Sequence, residues 1–110
     1  MAIIVHITYT GEGDNARRFA REMTETGVVE AIRAEDGNEQ YAYFFPMEDA
    51  SSVLLVDRWQ DQAALDRHHA SPMMKTIIAL REKYDLHMRV ERFVSDADGV
   101  PASDHQFIRR

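Results

Sequence analysis

The 110-residue sequence predicts an α+β fold in the order β-α-β-β-α-β, built on a four-stranded antiparallel sheet. Two observations carry this. Four short segments rich in apolar, β-branched or aromatic residues read as strands, while the stretches after the first and third of these repeat at helical spacing. The two middle strand segments are joined by a connection of only hairpin length. The chain is long enough for one domain, and 45% hydrophobic residues suit a packed globule rather than a disordered chain.

Ala2 to Thr10 is rich in β-branched residues and closed by Gly11-Glu12-Gly13, so it reads as a buried strand. Asp14 or Asn15 can cap the helix that follows, in which Ala16, Phe19, Ala20 and Met23 fall at i, i+3, i+4 and i+7. Gly27 interrupts it, and Val28 to Arg33 continues as a second, offset helical piece up to the Asp36-Gly37-Asn38 turn. Gln40 to Met47 is an aromatic strand with Tyr41, Tyr43 and Phe45 on one side, and Pro46 places its end at a sheet edge. Glu48 to Ser51 turns the chain into a strand from Ser52 to Trp59, in which Val53, Leu55, Asp57 and Trp59 alternate with Leu54, Val56 and Arg58.

Asp61 caps a helix through Ala64, Leu65, His68 and His69, and Ser71-Pro72 restarts it with a capping serine and proline in the first turn. Met73, Ile77, Leu80 and Tyr84 mark its buried stripe, with Met74 and Ile78 beside it, while Arg81-Glu82-Lys83 reads as a solvated face. The last strand runs from His87 to Val94. Residues 1–94 therefore form the domain, and residues 95–110 a polar linker and short tail that can pack on a partner through Phe107 and Ile108. The order is that of ferredoxin-like folds.

Thirteen Lys plus Arg against nineteen Asp plus Glu give a net charge of −6, which argues against nucleic-acid and anionic-membrane surfaces. With no cysteine, disulfides, thiolate nucleophiles and Cys-based metal centres are excluded. The first residues lack a basic leader, and their apolar run is too short to span a bilayer, so a cytoplasmic address is expected. Two helices cover one face of a four-stranded sheet. Yet the first three strands carry apolar residues on both faces, for example at Ile3, Val5 and Ile7 as well as Ile4, and at Val53 and Leu55 as well as Leu54 and Val56. The expected cover is a second copy of the chain, sheet against sheet, giving a homodimer.

The run Leu54 to Pro72, with Asp57-Arg58-Trp59, His68-His69 and Ser71-Pro72, resembles the antibiotic biosynthesis monooxygenase (ABM) superfamily. There a strand ending in an acidic-x-Trp motif enters a His-bearing helix and then a Ser-Pro or Thr-Pro break. Arg33 to Tyr43, with its acidic-Gly-Asn turn, is similar to the superfamily's entry into the second strand. The resemblance covers residues 2 to 94. It implies a dimeric α+β barrel, a pocket between the sheet and the second helix, and chemistry such as cofactor-independent oxidation of quinols or polyketide aromatics, haem degradation or isomerisation.

Within that frame His69 or His68 is the candidate general base for a phenolic proton, and His6, a polar ring amid an apolar strand, a second catalytic contact. Trp59, Tyr43 and Tyr41 are candidate aromatic walls for substrate, and Met73 an adaptable lining residue. Each also has a structural reading: a helix-end or core histidine, a strand–helix corner, an aromatic core stripe. Asp57 and Arg58 read as exposed residues ion-paired with a neighbouring strand, with Asp57 alternatively orienting a histidine. Adjacent His68 and His69 point about 100° apart, so no shared metal is expected. Neither a phosphate-binding glycine motif nor a Gly-x-Ser-x-Gly elbow is present.

The expected activity is therefore a monooxygenase taking a small quinol-like or hydroxylated aromatic molecule and O2 without cofactor. Haem degradation is the alternative: the Trp59 to His69 spacing resembles that branch, although its first-strand asparagine is missing here. An isomerase and a non-catalytic dimeric ligand-binding protein remain the other readings.

Overall fold

A computed structural model describes all residues, 1–110. The elements are β1 (Ile3–Thr10), α1 (Asn15–Glu25), α2 (Val28–Arg33), β2 (Asn38–Phe44), β3 (Ser52–Trp59), α3 (Gln62–His69), α4 (Met73–Lys83) and β4 (His87–Val94). All strand pairs are antiparallel, in the order β2-β3-β1-β4. This is the ferredoxin-like arrangement expected from the sequence. No helix is long and apolar enough to cross a membrane.

All helices pack on one face of the sheet. Ile3, Val5, Ile7 and Tyr9 of β1 and Val53, Leu55, Asp57 and Trp59 of β3 point into that layer and are buried. They meet Phe19, Met23, Ile32, Leu65, Ile77 and Leu80 from the helices in one continuous core. The other face has no cover. Ile4 and Val56 lie half-buried there, with Phe44 and Phe93 exposed towards its edges. β4 is exposed at every position, so Met88, Val90 and Val94 are open to solvent even on the helix side.

Two local expectations need correction. β2 ends at Phe44, not Met47, so Phe45 leaves the ladder and lies under the Arg17 guanidinium, 4.6 Å from its ring centroid. Ser71 does not cap α4: Pro72 holds the N-cap position, and the buried Ser71 hydroxyl has no partner. The break also turns the helix, so His68 rather than His69 continues the buried layer. Asp61 caps α3 as expected, its carboxylate accepting from the Ala64 amide at 2.9 Å.

The turn at Gly37 ties α2 to the start of α3. Its φ is +84°, its carbonyl accepts from the Gln60 amide at 2.8 Å, and a Cβ there would stand 2.6 Å from that of Ala64. Gly37→Ala is therefore expected to cost about 1–3 kcal/mol in urea unfolding, through strained backbone and overpacking together. A cost below a few tenths would contradict this.

After β4 the chain leaves the body. Ser95 is tied to Ala2 by two hydrogen bonds, at 2.9 and 3.0 Å. Beyond it a 3₁₀ turn at Ala102–Phe107 stands clear, with Phe107 and Ile108 exposed. The radius of gyration, 15.6 Å, accordingly exceeds the roughly 13 Å of a compact chain of this length.

Candidate active site

A cavity of about 320 Å³ opens between the helix-facing side of β1, β3 and β4 and the inner side of α3 and α4. Val5, Ile7 and Val90 form its floor, Leu65 and Met74 overhang it, and Asp57, Gln62, His69, Arg81 and Arg92 supply its polar groups. Its size lies at the lower end for small-molecule sites and suits a one- or two-ring molecule better than a porphyrin.

Asp57 is the most perturbed of these groups. It sits in the inward row of β3 between Leu55 and Trp59, only 4% exposed. Burial pushes its carboxyl up from the ordinary 3.8 to about 7, opposed by the hydrogen bond it accepts from Trp59 Nε1–H and by Arg81, and reinforced by Glu35. A buried carboxyl poised near neutrality and open to a cavity can hold or release a proton at working pH.

Behind Asp57 runs a supporting chain. Trp59 is fully buried and stacks on the His68 imidazole, with centroids 4.8 Å apart. Glu35 Oε2 lies 2.8 Å from His68 Nδ1, which donates to it. Burial lowers the His68 pKa despite Glu35, which favours the neutral ring. Glu35 belongs to the acidic-Gly-Asn turn, so that motif serves the site by fixing His68.

On the opposite wall Arg81 reaches inward from α4. Its Nε and Nη2 donate to the Tyr9 hydroxyl at 3.1 and 2.9 Å, which pins the guanidinium over the Tyr9 ring. Arg92 completes the polar set from β4.

Of the histidines, aromatic walls and Met73 proposed from the sequence as catalytic or substrate-binding, only His69 lines this cavity. Trp59 and His68 are not among its lining: Trp59 donates to Asp57, and His68 stacks on Trp59. His6 is on the uncovered face, its ring edge-to-face with Phe93 at 4.8 Å. Tyr41 is buried in the core and Tyr43 lines a separate groove between α1, α2 and β2. Met73 packs against the core, and its neighbour Met74 takes the cavity position.

Asp57 and Arg81 reverse their expected roles. Arg58 pairs with Glu39 at 2.9 Å while Asp57 turns inward, and Arg81 is no part of a solvated face. Both were marked by period: Asp57 shares the apolar row of Val53, Leu55 and Trp59, and Arg81 falls at i+4 from Ile77.

The helix-roofed cavity thus gathers Asp57, His69, Arg81 and Arg92, groups chemically able to hold or pass on a proton, over an apolar floor. Residues 2–80 match the antibiotic biosynthesis monooxygenase family, and the chain belongs to it. It is 29% identical over 52 residues to "Putative monooxygenase YcnE" of Bacillus subtilis, a match covering 47% of this chain. The chain spans about half the length of that curated relative, 55%. Among solved structures, an antibiotic biosynthesis monooxygenase from Deinococcus radiodurans, so described as putative, superposes with a TM-score of 0.74 at 18% identity, covering 86% of this chain and 92% of that one. SnoaB of Streptomyces nogalater, described as a cofactor-independent oxygenase, gives 0.72 at 14%, covering 86% and 93%. At these identities the structural likeness concerns the fold.

Proposed function

We propose that the protein is a cofactor-independent monooxygenase that oxidises a quinol-like or hydroxylated aromatic molecule with O2, and that Asp57 is its general base. The observation that carries this is the Asp57 carboxyl, raised to about 7 at the edge of an apolar cavity. An ordinary aspartate lies about six units below a phenol of pKa near 10, whereas Asp57 lies only about three below. Arg81 stands ready to hold the phenolate formed.

An electron-rich phenolate can itself reduce O2. The phenolic hydrogen passes to Asp57, the ring gives up one electron to form a radical pair with superoxide, and recombination places a peroxide on a ring carbon. Cleavage of the O–O bond leaves one oxygen as a new carbonyl. The other departs as water with the ring hydrogen and the proton that Asp57 returns, so phenol plus O2 becomes quinone plus water. His69, at the cavity rim, is the candidate for carrying that proton to and from solvent.

The apolar uncovered face supports assembly as a homodimer, sheet against sheet. Sedimentation equilibrium is expected to give twice the 12.7 kDa protomer mass, and a protomer at micromolar concentration would refute it. The activity is tested by an oxygen electrode with a panel of quinols, run beside a haemin titration. Uptake with at least one quinol and no specific Soret shift is expected. Haem binding with no quinol-dependent uptake would overturn the reading.

A further inference from the structure

The cavity holds more positive charge than the proposed chemistry uses. The side-chain ion pairs of the chain are Arg58–Glu39, Arg67–Asp36, Lys83–Glu22 and Arg89–Glu91, and neither Arg81 nor Arg92 is among them. Arg81 is at least pinned to Tyr9. Arg92 has no side-chain partner, in a protein whose net charge of −6 makes carboxylates plentiful.

Register fixes where that charge stands. Val5 is paired with Asp57 on one side and with Arg92 on the other. The three form one cross-strand row on the helix-facing side, so the Cα atoms of Asp57 and Arg92 are two strand spacings apart, about 10 Å. Val5 lies between them, and in the neighbouring row the paired Ile7 and Val90 extend the apolar floor alongside. A planar ring on that floor has a proton acceptor at one end and an unpaired guanidinium at the other.

We infer that the substrate is a hydroxylated aromatic acid, its hydroxyl directed at Asp57 and an ionised carboxylate at the far end of the ring system held by Arg92. The planar fork of arginine matches a carboxylate with two parallel hydrogen bonds, which gives orientation as well as affinity. Arg92 then decides which end of the molecule meets Asp57. The reaction assigned to this acid rests on the oxygenase reading, but its binding does not.

The test is calorimetric titration under nitrogen of wild type and variants with para-hydroxybenzoate and with its uncharged carboxamide. Neither probe needs to react, and the pair differs only in the acid group. Wild type is expected to bind the acid about tenfold more tightly, as a charge-assisted pair at a half-open site allows. Arg92→Gln is expected to bring the two affinities together, and Arg92→Lys to keep part of the difference. Arg89→Gln removes the same charge from the opposite face of the same strand and should leave the preference intact. Equal affinities in wild type, an undiminished preference in Arg92→Gln, or an equal loss in Arg89→Gln would each overturn the inference. Because no oxygen is consumed, a preference that holds while every quinol fails to drive oxygen uptake counts against the oxygenase reading alone. Quinol oxidation with equal affinities for the two probes counts against the carboxylate site alone.

Discussion

Asp57→Asn is expected to lower oxygen uptake at least about a hundredfold while making the protein more stable at alkaline pH. The two effects share one cause. The carboxyl titrates near 7 in the folded chain against 3.8 when unperturbed, because burial disfavours its charged form. A folded-state pKa above the unfolded one means that the native protein holds the proton more tightly. The associated stabilisation is full below about pH 4, fades as pH rises, and is gone above about 7, where the buried carboxylate must be charged. Asparagine keeps an oxygen to accept from Trp59 Nε1–H and carries no charge, so above pH 7 it should gain on the order of 1–3 kcal/mol over wild type. Melting curves at about pH 5 and pH 8 read this directly: the variant should gain several degrees at the higher pH and little at the lower. A variant that lost activity and stability together at both would mark Asp57 as structural. One that kept full uptake would remove it as the base, leaving His69 as the remaining cavity group able to take a phenolic proton.

The fold was legible because its signals are redundant. β1 is declared by an apolar, β-branched run closed by glycine, β3 by alternation, and both helical pairs by apolar stripes with cap residues. The uncovered face could be read from Ile4, Leu54 and Val56 alone, since each strand had more apolar positions than one helical layer can bury. The site was harder to read because its chemistry depends on which side of an element faces inward. A histidine draws notice in any sequence, yet His6 points away from the cavity and His68 is locked to Glu35. Asp57 looked unremarkable beside Arg58, since exposed ion pairing with a neighbouring strand accounts for both residues. Only the phase of β3, already fixed by Leu55 and Trp59, separates a buried acid from an exposed one. Arg81 was hidden by its charged neighbours Glu82 and Lys83. Its hydrogen bond to Tyr9 joins residues 72 positions apart, and no local pattern encodes that distance.

Trp59→Phe carries the second large effect and tests how Asp57 is tuned. The indole N–H donates to the carboxylate and favours its charged form, so its loss should push the carboxyl above its present value near 7. Hydrogen bonds to charged groups amount to roughly 1.5–3 kcal/mol, which corresponds to a rise of about one to two pH units. A base must be deprotonated to act. The ascending limb of the kcat/KM profile should therefore move to higher pH by that amount, with much of the lost rate returning at about pH 9. Phenylalanine also leaves a void against His68, at a stability cost on the order of 1–3 kcal/mol, but a packing defect alone lowers the profile without moving its midpoint. Glu35→Gln discriminates further. It leaves His68 a hydrogen-bonding partner and removes a nearby negative charge that raises the Asp57 pKa, so the same limb should move the other way, to lower pH. Opposite displacements from Trp59→Phe and Glu35→Gln would place both residues behind Asp57 as its electrostatic support. If neither moves the limb, the acid–base group of this cavity is not the aspartate at its edge.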